Sequence, residues 1–239
     1  MSQREKLFSA YHTSIYSHSN TFTYKEYQDS CRQYELNFGK DLPASKDAHI
    51  LEIGCGGGHF LYFLKMRGYT NYLGIDLSAE AIGMVRDRIT SQIEQADAFC
   101  FLASQGERYD AICSNDMLEH ITKDRVLEFL SLVYSALKPN GVILFRLPNM
   151  ANPFAIHNRY RDFTHECGYT EKSIYQVLHL CGFEDIHVRP DQYHMKTAKT
   201  FLSKIVSEFL YAIIRKLFWY QGFTSPEILS SRMVAIARK

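Results

Sequence analysis

The sequence predicts an α/β fold, a doubly wound and mostly parallel sheet of seven strands. Helices precede it, and two insertions interrupt it. Three observations carry this. From residue 48 onward, short apolar runs alternate with segments of helical spacing, and such alternation implies right-handed crossovers between parallel neighbours. A glycine-rich turn, LEIGCGGGHF, joins the first strand to the helix after it. The chain has 239 residues, a length that suits one compact α/β domain with additions and a full core.

The elements follow in order. Residues 1–47 are polar and tyrosine-rich with weak helical periodicity, which predicts an N-terminal helical cap closed by Pro43. Residues 48–239 form the main domain. AHILEIG is a buried strand, and HFLYFLKMRG is a helix stopped at Gly68. YLGID is the second strand, and Ser78 caps a helix over AEAIGMVRDRI with Glu80 in its first turn. IEQADA and YDAICSN are the third and fourth strands. A helix over 123–138 ends at the Lys138-Pro139-Asn140-Gly141 turn, and GVILFRLPN is the fifth strand. Thr170 caps the helix TEKSIYQVLHLCGF, FEDIHVRP is the sixth strand, and EILSSRMVAIARK is the seventh. Two stretches, about 148–169 and 190–225, break the alternation and are long enough to build a substrate site.

Composition narrows the class. With 22% charged residues and 13 glycines the chain is neither disordered nor fibrous. A net charge of +1 predicts no nucleic-acid partner. Six scattered cysteines without a C-x-x-C pair suit a reducing compartment, and no signal peptide or membrane-spanning run is read. The expectation is therefore a cytoplasmic protein.

The glycine turn brings backbone N–H groups and a helix N-terminus close to a ligand. Its G-x-G-x-G spacing, with His59 following Gly58, departs from the dinucleotide fingerprint. Acidic residues end the next strands in register. Asp76 is placed to accept both ribose hydroxyls, Asp97-Ala98 to receive an adenine amino group, and Ser114-Asn115-Asp116 lies beside the glycine turn.

In these segments (LEIGCGGG, YLGIDLS, EQADA, YDAICSNDMLEHI, ALKPNGVILFRLPN and CGFEDIHV) the chain resembles the class I S-adenosylmethionine-dependent methyltransferases. The resemblance implies a Rossmann-like sheet whose final strand, EILSSRMVAIARK, is antiparallel. It implies S-adenosyl-L-methionine as donor and S-adenosyl-L-homocysteine as product. Carried onto this sequence, Glu52, Gly54 and Gly56 flank the methionine part. Asp76 holds the ribose and Leu77 packs on the adenine. Asp97 and Ala98 hold the adenine edge, and Asn115 lies near the amino group.

The Asp116-Met117-Leu118-Glu119-His120 segment puts Asp116, Glu119 and His120 on one face if a helix begins there. RYRDFTHE adds Asp162, His165 and Glu166. Three readings stand side by side. These are helix-start acids and a polar lid; or His120 or His165 is a general base for an acceptor hydroxyl; or Asp116, Glu119, His120 and His165 bind Mn²⁺ or Mg²⁺, which acidifies that hydroxyl. The segment is similar to that of metal-dependent small-RNA 2′-O-methyltransferases, with Asp rather than Glu at 116 and no His-His pair, and to the Leu-Glu-His segment of ubiquinone-pathway O-methyltransferases.

The layout from LPN through RYRDFTHE to the CGF turn resembles methyltransferases of surface-polysaccharide and glycan biosynthesis. Arg159, Tyr160 and Arg161 are the candidate contacts to a sugar or phosphate. The expected reaction is O-methylation of a sugar hydroxyl or phosphate-type group on a glycan or nucleotide-linked precursor in surface-polysaccharide biosynthesis. The competing readings are a small-molecule O-methyltransferase on a phenol or quinone precursor and a non-catalytic scaffold of the same fold. Finally, TFLSKIVSEFLYAIIRKLFWY is amphipathic. It predicts a helix that packs on the domain or a second subunit, or that makes peripheral membrane contact near 200–219.

Overall fold

The computed structural model describes Leu7, residues 22–194 and residues 197–239. Apart from Leu7, the part of the predicted N-terminal cap before residue 22 lies outside the described residues. The cap's described helix is α1 (Tyr24–Phe38). Thr23 caps it by accepting from the Glu26 amide, and it buries Tyr27, Tyr34 and Phe38.

The main domain runs β1 (Ile50–Ile53), α2 (His59–Met66), β2 (Tyr72–Asp76), α3 (Ala79–Arg88), β3 (Ile93–Gln95), α4 (Ala98–Ala103), β4 (Tyr109–Asn115), α5 (Val126–Ala136), β5 (Leu137–Pro148), α6 (Ala155–Arg161), α7 (Glu171–Leu180), β6 (Glu184–Pro190), α8 (Ala198–Tyr220) and β7 (Arg232–Arg238). The seven strands form one sheet in the order β3-β2-β1-β4-β5-β7-β6. β1 to β5 pair in parallel, and β7 lies antiparallel to both β5 and β6. This is the predicted Rossmann-like architecture, with the final antiparallel strand wedged between two earlier ones.

The apolar runs are buried on both faces because the period of two sends alternate side chains to opposite layers. On β5, Ile143, Phe145 and Leu147 enter one core, with residues of α5 and α7. Val142 and Leu144 enter the other, with residues of α1, α2 and α3. β7 repeats the pattern with Met233, Ala235 and Ala237 against Val234 and Ile236. Strand order reverses between β1 and β4, so their carboxyl ends open a crevice, the usual ligand position in such sheets.

Local expectations differ from the structure at several points. Lys138-Pro139-Asn140-Gly141, expected as the turn before the fifth strand, lies within β5, which begins at Leu137. The third strand stops at Gln95, and Asp97 instead caps α4. The helix expected from 123 begins with a 3₁₀ turn, Lys123–Arg125, and its α-helical part ends at Ala136. No helix begins at Asp116, which has φ 50°; only a 3₁₀ turn over Leu118–His120 follows.

Candidate active site

The glycine turn closes around one carboxylate. Gly54, Gly56 and Gly58 have φ of 72°, 46° and 72°, left-handed values that L side chains resist. A Cβ on Gly54 would also lie 2.7 Å from Met117 Cγ. The Gly56 amide donates to Asp76 Oδ2 at 2.8 Å, and the Ser78 amide donates to Asp76 Oδ1 at 2.8 Å. Asp76 therefore fixes the turn and the start of α3 together. From the other side the Tyr27 hydroxyl donates to Gly57 O at 2.9 Å, while its ring stacks on His59 at 4.6 Å. The N-terminal helix is thus pinned over the turn.

A cavity of about 1050 Å³ opens here. The residues singled out for the cofactor all line it: Glu52, Gly54 and Gly56 on the β1 side, Asp76 and Leu77 after β2, Asp97 and Ala98 at α4, and Asn115 after β4. α1 contributes Glu26, Ser30, Gln33 and Tyr34, a wall that the weak periodicity of the N-terminal segment did not reveal. Asp97 Oδ1 accepts the Phe99 and Cys100 amides, each at 3.0 Å. Asn115 Nδ2 donates to Glu52 Oε1 at 3.2 Å. Glu52 Oε2 and Asn115 Oδ1 are buried acceptors with no hydrogen-bond partner. Burial pushes the Glu52 carboxyl well above its ordinary value, and the Asp76 charge adds to this against the Asn115 hydrogen bond.

The same cavity reaches Glu119, His120 and His165. Their donor atoms all lie within 4.8 Å of one another, and among the described residues this is a grouping able to hold a metal ion. Hydrogen bonds fix both imidazoles. His165 Nδ1 is 2.9 Å from Asn158 O. A carbonyl only accepts, so Nδ1 carries the proton and Nε2 holds the lone pair. Thr164 Oγ1 donates to Asp162 Oδ1 at 2.6 Å and lies 2.8 Å from His120 Nδ1. The hydroxyl proton being engaged, His120 Nδ1 donates and its Nε2 is likewise unprotonated. His165 Nε2 stands 4.0 Å from Glu119 Oε1 and 4.0 Å from Asp162 Oδ2. Both Glu119 oxygens are buried without a hydrogen-bond partner. Burial, and then the Asp116 charge, push that carboxyl well above its ordinary value. Burial, and then neighbouring His165, pull His120 down to about 4, so it is neutral near pH 7. Thr164, which sets the His120 tautomer, lies in the RYRDFTHE segment but is not among the residues its spacing singles out.

Two expectations for this region change. Asp116 does not join the metal-ligand group. Its oxygens receive Arg146 at 2.9 Å and Arg232 at 3.0 Å. Burial opposes its ionisation, yet the Arg232 and Arg146 guanidiniums outweigh it and hold the carboxyl at about 2. Both arginines come from strands distant in sequence, so local spacing could not show the pairing. Arg159, expected to meet substrate, instead donates to the His165 and Glu166 carbonyls and braces the loop carrying His165. Tyr160 is 75% exposed and does not line the cavity, whereas Arg161 does.

A model of the methyltransferase domain family matches residues 24–188. The chain belongs to this family. Its class I S-adenosylmethionine-dependent character agrees with the fold of the solved neighbours. A S-adenosylmethionine-dependent methyltransferase from Archaeoglobus fulgidus superposes with a TM-score of 0.64 at 22% identity, covering 90% of this chain and 97% of that one. Among curated relatives, the trans-aconitate 2-methyltransferase of Paracidovorax citrulli is 26% identical over 132 residues, 54% of this chain and 50% of that protein. The ubiquinone biosynthesis O-methyltransferase of Paraburkholderia phytofirmans is 29% identical over 106 residues, 42% of this chain and 44% of that protein. The chain thus spans about half the length of the curated relatives it matches. Within this methyltransferase domain the matched region includes the glycine turn, Asp76, Asp97, Asn115 and the Glu119–His120–His165 group.

Proposed function

We propose that the protein transfers a methyl group from S-adenosyl-L-methionine to an oxygen of a small acceptor. The observation that carries this is the single cavity running from the Asp76-braced glycine turn to the Glu119–His120–His165 group. The donor side fits the cofactor's chemistry. The unpartnered acceptors Glu52 Oε2 and Asn115 Oδ1 suit an ammonium group, Asp76 suits ribose hydroxyls, and Leu77 and the Asp97–Ala98 backbone suit an adenine edge. When bound, the cofactor supplies an electrophilic sulfonium methyl, and this chain's residues orient it and receive a proton.

On the acceptor side, His165 Nε2 is the base we favour. Its Nε2 stands 4.0 Å from Asp162 Oδ2, whose charge stabilises the imidazolium formed when it takes the acceptor's hydroxyl proton, and 4.0 Å from Glu119 Oε1. Transfer of the methyl to the acceptor oxygen would leave S-adenosyl-L-homocysteine, with the acceptor's proton held at His165 Nε2. His120, held neutral, lines the same space. A sugar hydroxyl or phosphate-type group on a glycan or nucleotide-linked precursor remains our substrate reading, with Arg161 in the cavity wall as its polar contact. The similarity to ubiquinone biosynthesis O-methyltransferases favours a phenol or quinone precursor as the second candidate.

A divalent metal is a second reading of the same group, favoured by the two unpartnered Glu119 oxygens. With Asp116 committed elsewhere, two imidazoles and one carboxylate suit Mn²⁺ or Zn²⁺ better than Mg²⁺. Ligands at about 2.1 Å from an ion stand roughly 3–4 Å apart, so the group closes on a metal by small side-chain rotations.

Titration calorimetry with S-adenosyl-L-methionine, using chelator-treated protein with and without Mn²⁺ or Zn²⁺, tests both levels. Micromolar cofactor affinity is expected, followed by turnover on nucleotide sugars or on catechols. No cofactor binding refutes the reading. Cofactor binding without turnover on any acceptor supports the scaffold. A metal isotherm lost in Glu119→Gln and His165→Ala selects the metal over the simple base.

A further inference from the structure

α8 (Ala198–Tyr220) is long, helical and well capped by Thr197, yet none of its residues is buried. Its partly covered residues, Ser207, Tyr211, Ile214, Arg215 and Phe218, form one stripe toward the body of the protein. Two contacts seat that stripe: Tyr211 lies beside the Asn152 side chain, and Arg215 donates to Glu227 O at 3.1 Å. At about 100° per residue the opposite half of the helix carries Phe201, Leu202, Ile205, Phe209, Ile213 and Leu217. All of these are exposed, Phe209 to 67%. The helix is turned inside out relative to an ordinary surface helix, with its apolar half away from the core.

Its charges name the occupant. Lys199, Lys204, Arg215 and Lys216 face a single acid, Glu208. The helix is therefore net +3 in a chain that is net +1 overall, and the rest of the molecule is net negative. Lys216 projects from the middle of the apolar half, between the rows of Ile205 and Phe209. A protein partner packed on that half would bury an ammonium with no carboxylate of this face to meet it. At a bilayer its four-carbon stem lies along the apolar surface while the ammonium reaches phosphate headgroups. Exposed Trp219 and Tyr220 end the helix with amphipathic rings suited to the same boundary. No helix among the described residues is long and apolar enough to cross a membrane, so the fit is to a surface.

We propose that α8 docks the protein on an anionic phospholipid surface, its apolar half in the acyl boundary and its cations among the headgroups. The Tyr211–Asn152 contact sets the docked helix against the turn leading into α6. That short helix itself exposes Ile156 and Tyr160, and its far side gives Asn158 and Arg161 to the cavity. The cavity wall thus stands beside the docked helix.

The test is vesicle flotation of the full chain. One set of vesicles is pure phosphatidylcholine, and the other contains roughly one-third phosphatidylglycerol. The wild-type protein should float with the anionic vesicles at least about tenfold more than with the neutral ones, and raised salt should weaken this. Phe209→Ser with Ile213→Ser, and separately Lys216→Glu, should each lose most of the binding. These side chains are exposed, so circular dichroism and cofactor titration should be unchanged, which separates failure of docking from failure of the methyltransferase reading. No flotation overturns the proposal. So does sedimentation showing a dimer that Phe209→Ser with Ile213→Ser dissociates while vesicles bind neither form, because a second copy is then the occupant.

Discussion

Asp116 offers the sharpest quantitative test, since its carboxylate bridges two guanidiniums at 2.9 and 3.0 Å at the cavity floor. Replacing it by Asn keeps the shape and removes the charge. The two guanidiniums hold the native carboxyl at about 2 against an ordinary 3.8. At about 1.4 kcal/mol per unit, that difference is worth roughly 2 kcal/mol of stability at neutral pH. Leaving Arg146 buried with its Nε already unpartnered adds to the cost, toward the roughly 3–5 kcal/mol seen when one member of a buried pair is removed. Asp116→Asn is therefore expected to lower stability by about 2–4 kcal/mol at pH 7, or roughly 5–15 °C in melting temperature for a domain of this size. The sign of the pH dependence follows from the depressed native value. The stabilisation is complete above the unfolded pKa and is lost as pH falls through the native one. The gap between wild type and variant should narrow below about pH 5 and be roughly halved in its charge-dependent part by pH 3. Urea denaturation across pH 3–7 reads this directly. A gap below about 0.5 kcal/mol, or one that does not change with pH, would show that the two arginines do not hold this carboxylate as described.

The remaining predictions are briefer. Asp76→Ala should weaken S-adenosyl-L-methionine binding by at least about 100-fold, from two lost charge-assisted hydrogen bonds, and retained affinity in a calorimeter would defeat the ribose assignment. Glu52 is held well above the ordinary carboxyl range, so a cationic ammonium placed beside it should expel a proton. Binding should then tighten with rising pH, and its enthalpy should depend on the buffer's ionisation enthalpy in wild type but not in Glu52→Gln. Gly58→Ala should cost about 2 kcal/mol in a denaturation experiment, because φ is 72° and the new Cβ would stand 2.9 Å from Ile89 Cδ1 and Val85 Cγ1; a neutral result would mean the turn relaxes. Thr164→Val should lower kcat through the His120 tautomer while leaving cofactor affinity unchanged, and a matching loss in Thr164→Ser would argue against the hydrogen bond as the cause.

What the sequence made legible follows the reach of each interaction. The glycine turn, Ser78 and Thr170 act within a few residues of themselves, so strand, turn and cap chemistry place them without a tertiary structure. Asp76 was readable because the crossover geometry fixes where a second strand ends relative to the first. Asp116 was misplaced for the opposite reason. Its i, i+3, i+4 relation to Glu119 and His120 suggested a shared helix face, but partners from β5 and β7 took its charge and the backbone turned at φ 50°. The same limit applied to α8, whose apolar period fits a packed helix and an outward-facing one equally. Only the position of its partly covered stripe decides the orientation. Cofactor binding in this fold is thus built from short-range turns and caps, which one sequence displays. Acceptor chemistry is built where β4, β5, β7 and the first insertion converge, so Thr164 sets a histidine tautomer from 44 residues away. Residues governing that half of the reaction are identified by the geometry of their hydrogen bonds, and substitutions there should change acceptor turnover while leaving donor affinity intact.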